Sequence, residues 1–154
     1  MNKTLPSLSP SGGDLLATLQ PSGLLLGRCL LGLIFILSGS GKIAGFTATA
    51  GYMASKGLPL PEILLIPTIL IELGGGLLLV LGYQTRWAAL ALFLFLIPVT
   101  LLFHDFWAAA PDQVRNQMIH FEKNLAIMGG MLYVVFMGAG CYSLDAYRCF
   151  SARL

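Results

Sequence analysis

The stretch LIPTILIELGGGLLLVLGY, from Leu65 to Tyr83, decides the fold. It places one acid, Glu72, among aliphatic residues, glycines, a threonine and a proline. A helix needs about 20 mainly apolar residues to cross a hydrocarbon layer of roughly 30 Å, because each residue adds about 1.5 Å of rise. The stretch and its flanks therefore predict a membrane-spanning helix over residues 62–82, and they raise the question of why that helix carries an acid.

The composition extends this prediction to the whole chain. Its 154 residues are 56% hydrophobic and only 10% charged, which is too little polar material to coat a water-soluble globule. Three more apolar segments, at about residues 22–41, 87–106 and 120–140, are long enough to span. In lipid every backbone amide needs a partner within the chain, so the segments should be helices. We predict an all-α polytopic membrane protein, a bundle of four transmembrane helices over residues 22–140, with a flexible or interfacial lead (1–21) and a cytoplasmic tail (141–154).

Several functional classes are excluded by the sequence. The net charge is only +2 and no cluster of lysine and arginine exists, which argues against nucleic-acid binding. Cys29, Cys141 and Cys149 form no C-x-x-C pair, so neither a redox dithiol nor a thiolate zinc site is indicated. No flavin, haem or iron–sulfur motif is visible, and we expect no intrinsic cofactor.

The orientation in the membrane follows from the basic residues near the helix ends. Four crossings put both termini on one side, where Lys3, Arg86, Arg148 and Arg153 lie, and leave Lys56 and Arg115 on the other. Arg28, Lys42 and Lys123 fall in or at the ends of helices, so they are not counted for either side of the membrane. The excess of basic residues on the side of the termini predicts that both termini are cytoplasmic.

Glu72 calls for a partner, because one charge at mid-span opposes insertion by about 2.5 to 3.5 kcal/mol. The acid should face the bundle interior, and Arg28 of the first span is the best candidate partner. Counting from the cytoplasmic ends of the two helices gives an axial offset of roughly 6 Å, which an arginine stem can cover. Such a pair marks either a functional site or a purely structural contact that fixes the helix register.

A second polar group gathers at the outer ends of the third and fourth spans. The third ends in TLLFHDFW, with His104 and Asp105, and the fourth begins HFEKN, with His120, Lys123 and Asn124. Lys42 belongs to the same membrane level. We predict a proton-handling or polar-substrate site with His104, Asp105 and Lys123 as its catalytic candidates, and ordinary hydration of helix ends is the alternative. No recognised ligand spacing is present, so we expect no metal.

Five motifs in order resemble one family of small four-helix bacterial inner-membrane proteins, the DoxX family. They are RCLLGLIFILSGSGKIAGF, GYMASKGLPLP, IELGGGLLLVLGYQTR, FHDFW and HFEKNLAIMGG. The resemblance implies a redox association, since relatives include a subunit of a thiosulfate:quinone oxidoreductase and proteins linked to resistance against catechols and hydroquinones. The family's recurring polar positions correspond here to Arg28, Lys42, Glu72, His104, Asp105, Lys123 and Asn124.

Three functions remain open at this stage. The first is a redox-associated protein that accommodates a quinone-like or small aromatic compound in the bundle, either as an oxidoreductase or as a subunit of one. Its partners would be the lipid bilayer, that compound, and a redox partner protein or further copies of the chain. The second is transport of a small solute or of protons, and the third is a structural or assembly subunit of a membrane complex.

Overall fold

The computed structural model describes residues 12–151, which form helices joined by short connections. The helices are α1 (Gly12–Ala44), α2 (Phe46–Ser55), α3 (Pro61–Leu81), α4 (Thr85–Phe103), α5 (Val114–Met137) and α6 (Leu144–Ser151), with a single 3₁₀ turn at Phe106–Ala108. The prediction of an all-α membrane protein is confirmed.

Three helices within the described chain are long and apolar enough to cross a membrane: Asp14–Ala44, Pro61–Leu81, and Thr85–Ala108. Helix α5, the predicted fourth span, has 24 residues but is not among the three. Its first half carries Arg115, His120, Glu122 and Lys123, which lower its mean hydropathy. It packs along α4 and buries Asn124 and Met131, so it completes a bundle of four long helices.

The first helix is longer than predicted. Helix α1 begins at Gly12 rather than near residue 22, so residues 12–21 of the predicted lead are helical. Asp14 lies in its first turn, where a negative charge interacts favourably with the helix dipole. Residues 1–11, the rest of the predicted lead, lie outside the described part of the chain.

Two glycines set the register between α1 and α3. Gly32 and Gly76 face each other so closely that a Cβ added to either would lie 2.7 to 2.8 Å from the carbonyl oxygen of the other. Further along, a Cβ on Gly39 would meet Leu73. Small residues let helix backbones approach in this way inside membranes. The two helices therefore run antiparallel, with Lys42 and Glu72 on the same side of the crossing.

The core has two parts. One lies between the four long helices around Leu79, Ala89, Leu92 and Met131. In the other, helix α2 packs Ala50 and Met53 against Leu65 and Ile69 of α3. Because α2 lies in the connection between the first two spans, this second cluster covers the end of the bundle where α1 stops and α3 starts.

The C-terminal tail is fastened to the opposite end of the bundle. Asp145 accepts hydrogen bonds from the backbone N–H groups of Gln84 and Thr85, at 2.8 and 2.9 Å, and so satisfies donors at the start of α4. Burial raises the pKa of the Asp145 carboxyl, but the hydrogen bonds from Thr85 and Gln84 outweigh it and hold the pKa below its usual range. The Arg148 guanidinium lies 5.2 Å from the centre of the Tyr83 ring.

Replacing Gly76 by alanine should force α1 and α3 apart, because the new Cβ would meet the backbone of Gly32 and Ile36. We expect the free energy of unfolding in detergent, followed by circular dichroism, to fall by about 1 to 3 kcal/mol. Gly74→Ala is the matched control, since a Cβ there has nothing within 4 Å and alanine is the better helix former. Equal stability of the two variants would contradict the proposed crossing.

The docking of the tail should depend on pH through Asp145. Because the folded-state pKa is lowered, the carboxylate contributes its full stabilisation above the unfolded value of about 3.9 and loses it as the pH falls through the folded value. We expect Asp145→Asn to be less stable than the native protein at pH 7 by about 1 kcal/mol, since the site is partly screened by water. The difference in melting temperature should shrink below about pH 4. Asp112→Asn, in an exposed loop, is the control and should leave the melting temperature at pH 7 unchanged.

Candidate functional site

An ion pair between Lys42 and Glu72 forms the centre of the candidate site. The Lys42 Nζ atom lies 2.9 and 2.8 Å from the two carboxylate oxygens of Glu72 and 2.7 Å from the Ser38 hydroxyl oxygen. Glu72 is buried, whereas the Lys42 side chain is a quarter exposed. A lysine near the end of α1 thus reaches back along its own helix to neutralise an acid inside the next one.

The predicted pairing of Glu72 with Arg28 is wrong. Arg28 lies at the level of Gly82, where its guanidinium donates to the backbone carbonyls of Ala139 and, at 2.7 Å, of Tyr142. The contact between Gly32 and Gly76 explains why Arg28 does not reach Glu72. In this register, the part of α1 that faces Glu72 lies about 12 Å along the helix axis from the Arg28 backbone. Arg28 therefore holds the chain that follows α5 and takes no part in the site.

Two cavities flank the ion pair. The larger, of about 190 Å³, is mainly apolar and is lined by residues that include Tyr52 and Met53 of α2 and Phe95 and Phe103 of α4. The smaller, of about 170 Å³, lies toward α5 and is more polar. Both are lined by Lys42, Glu72, Val99 and His104.

The predicted outer polar group surrounds the smaller cavity. Lys123 and Asn124 line it together with His104, and Asn124 donates a hydrogen bond of 3.0 Å to the buried Thr100 hydroxyl. His120 stacks on His104 with ring centres 5.2 Å apart, and Lys123 Nζ lies 3.0 Å from His120 Nδ1. Five of the eight predicted site residues thus line one cavity, and His120 contacts it through His104.

Asp105 follows His104 in the chain, but its side chain is engaged elsewhere. Its carboxylate pairs with Lys56 from the end of α2, and it lines neither cavity. The Tyr52 hydroxyl donates to the Phe103 carbonyl at 3.3 Å, so α2 and the end of α4 are joined twice. The role of Asp105 visible in the structure is to hold α2 over the larger cavity.

Sequence reasoning missed Ser38, which accepts a hydrogen bond from Lys42, and two residues of the outer polar group. Gln117 Oε1 lies 3.0 Å from His104 Nδ1 and thereby orients the imidazole. Its spacing from His120 and Asn124, three and seven residues, is that of one helix face and could have identified it. The sequence contains no comparable spacing that would identify Lys56, because its partner Asp105 follows a different helix. In the described part of the chain, no three histidine, cysteine or acidic side chains gather as metal ligands.

Comparison with known proteins identifies the family of the chain. The DoxX family profile matches residues 23–105. Inner membrane protein YphA of Escherichia coli (strain K12) is 36% identical over 82% of this chain and 90% of its own length. Inner membrane protein YqjF of the same organism is 39% identical over 82% of this chain and 92% of its own length.

A more distant relative is the Surfeit locus protein 4 homolog of Drosophila melanogaster. It is 34% identical over 46% of this chain, a region that makes up 27% of that protein. No solved structure matches the chain. The family match covers more than half of the sequence and both bacterial relatives align over most of it. The chain is therefore an integral inner-membrane protein that belongs to the DoxX family.

Proposed function

We propose that the protein binds a small ring compound of the quinone type beside the Lys42–Glu72 pair and has a redox-associated role in the membrane. The observation that supports this most directly is the larger cavity, which combines apolar walls with a polar group at one end. Ligand sites commonly have this character, with a few polar groups that orient a mainly apolar molecule.

The size and the walls of the larger cavity suit a single ring. Its volume of about 190 Å³ exceeds that of an engineered apolar cavity of about 150 Å³ that binds benzene. Tyr52 and Phe103 lie with ring centres 5.7 Å apart at its wall, and Met53 can adapt to an irregular ligand. A flat aromatic molecule would find both stacking surfaces and a flexible neighbour there.

The polar end of the cavity suits a ligand that exchanges protons. Glu72 and His104 are both groups that can accept a proton from a bound hydroxyl. The exchange between quinone and hydroquinone moves two electrons together with two protons. The electrons would pass to or from a partner protein or a second ring compound, because the sequence carries no motif for a redox cofactor.

Filling the larger cavity should abolish binding. Val99 lines both cavities, and a phenylalanine there would occupy the space proposed for the ring. We expect Val99→Phe to weaken saturable binding of hydroquinone and 1,4-benzoquinone at least tenfold, measured by isothermal titration calorimetry in lipid nanodiscs. The three free cysteines are replaced in all proteins compared, because quinones react with thiols. Ile97→Phe, on the exposed side of the same helix, is the control and should bind like the native protein. If neither compound binds the native protein saturably, the proposed function is wrong.

We also propose that both termini are cytoplasmic, which is supported by the excess of basic residues on their side. Cys149 is exposed in α6 and offers a native probe of this orientation. In a variant that keeps Cys149 as its sole cysteine, a membrane-impermeant maleimide should label inverted vesicles and leave intact spheroplasts unlabelled. A cysteine placed instead at Ala110, in the loop after α4, should give the reverse pattern. Labelling of Cys149 in spheroplasts would place the termini outside.

A further inference from the structure

We propose that the seam between α2 and α4 is the entrance to the larger cavity, and that the ion pair of Lys56 with Asp105 controls how often this entrance opens. The entrance is a property of the protein alone, so it goes beyond the proposed function and can be tested without a ligand. Contacts of different kinds join the two sides of α2 to the bundle, and this difference carries the proposal.

Helices α2 and α4 both supply walls of the larger cavity. Thr49 and Met53 line it from α2, and Phe95 and Val99 line it from α4. Met53 is only 6% exposed, and Glu72 at the polar end of the cavity is 5% exposed. A compound the size of one ring therefore reaches the acid only when two of the surrounding elements move apart.

On the side of α3, apolar packing holds α2 in place. Ala50 and Met53 are buried, and they pack against the buried side chains of Leu65 and Ile69. Separating these surfaces would expose apolar area and lose many close contacts at once, which is strongly unfavourable. Helix α2 therefore stays with α3 when the cavity opens.

On the side of α4, the contacts are weaker. Lys56 and Asp105 form their ion pair with both side chains 24% exposed, and pairs that water reaches contribute little to stability. The Tyr52 hydroxyl lies 3.3 Å from the Phe103 carbonyl oxygen, longer than the usual distance of about 2.7 to 2.8 Å for such a bond. The Phe103 ring rests against the Tyr52 ring and the edge of the apolar cluster. Among the walls of the cavity, the seam between α2 and α4 is thus the easiest to open.

The backbone on either side of α2 suits such a movement. The chain leaves the helical conformation at Gly45, with φ −107° and ψ 35°, between α1 and α2. After α2, Gly57 has φ +78°, in the left-handed region that glycine adopts without strain. A small rotation of α2 about its packed face would carry Tyr52 and Lys56 away from α4 and leave Ala50 against α3.

The position of the seam also gives the direction of access. Lys56 and Asp105 lie at the end of the bundle where α1 stops and α3 starts, and charged side chains favour the boundary between the membrane and water. At the opposite end, Arg28 holds the chain after α5 and Asp145 holds the tail to α4. Compounds should therefore enter from the surface on which α2 lies.

The reactivity of one cysteine in the cavity tests this entrance. The three native cysteines are replaced, and Met53→Cys supplies a buried thiol on the cavity wall. Its reaction with N-phenylmaleimide, a neutral reagent that carries one ring, is followed in lipid nanodiscs by mass spectrometry. We expect Lys56→Gln and Asp105→Asn each to raise the labelling rate about two- to fivefold, the effect of losing a partly exposed ion pair.

Three further variants serve as matched controls. Exchanging the charges, with Lys56→Asp and Asp105→Lys together, keeps the pair and should return the labelling rate to near its native value. Glu62→Gln removes an exposed charge at the same end of the bundle and should leave the rate unchanged. Ala50→Cys, in place of Met53→Cys, puts the thiol on the side of α2 that packs against α3, and its labelling should not respond to loss of the pair.

Three results would overturn the proposal. The first is a labelling rate at Met53→Cys that neither Lys56→Gln nor Asp105→Asn changes. The second is a charge exchange that labels as fast as the single variants. The third is equal acceleration at Ala50→Cys, which would show that α2 leaves α3 as well and that the seam with α4 is not the entrance. None of these results decides whether a ring compound binds, which the titration with Val99→Phe tests separately.

Discussion

The ion pair between Lys42 and Glu72 is the constraint on which the rest of the structure depends. A buried carboxylate in an apolar bundle is strongly unfavourable unless a cation and hydrogen bonds compensate it. The Lys42 Nζ atom lies within hydrogen-bond distance of both carboxylate oxygens, and it also donates to the Ser38 hydroxyl. The arrangement requires α1 and α3 to approach within reach of one lysine side chain, which is what the contact of Gly32 with Gly76 allows.

The pair also determines the chemical character of the space around it. Because the two charges cancel and no other lysine, arginine or acid of the described chain lines the larger cavity, that cavity suits neutral molecules better than ions. The pair forms the polar end of the larger cavity, while aromatic and aliphatic side chains form its walls. An interaction that stabilises the bundle therefore also supplies polar groups to both cavities. The structural and the functional interpretations of a buried acid need not exclude each other here.

Much of this architecture could be predicted from the sequence. The long apolar segments, the acid inside the second of them, and the grouping of His104 with Lys123 and Asn124 all follow from composition and helical spacing. The partner of Glu72 could not be predicted, because counting from helix ends ignores how far α1 extends and where two glycines fix its register. The contact of Lys56 with Asp105 could not be predicted either. It joins the end of α2 to the end of α4, and only tertiary packing decides how these two segments lie relative to each other.

The register also restricts how the length of this chain can change. Ten residues separate Gly32 from Lys42 along α1, and four separate Glu72 from Gly76 along α3. One residue inserted into either interval would rotate the charged side chain relative to the glycine by about 100° around the helix axis. Lys42 or Glu72 would then turn toward the lipid. A chain that keeps this pair in this register can therefore change within those two intervals by substitution but not by insertion or deletion.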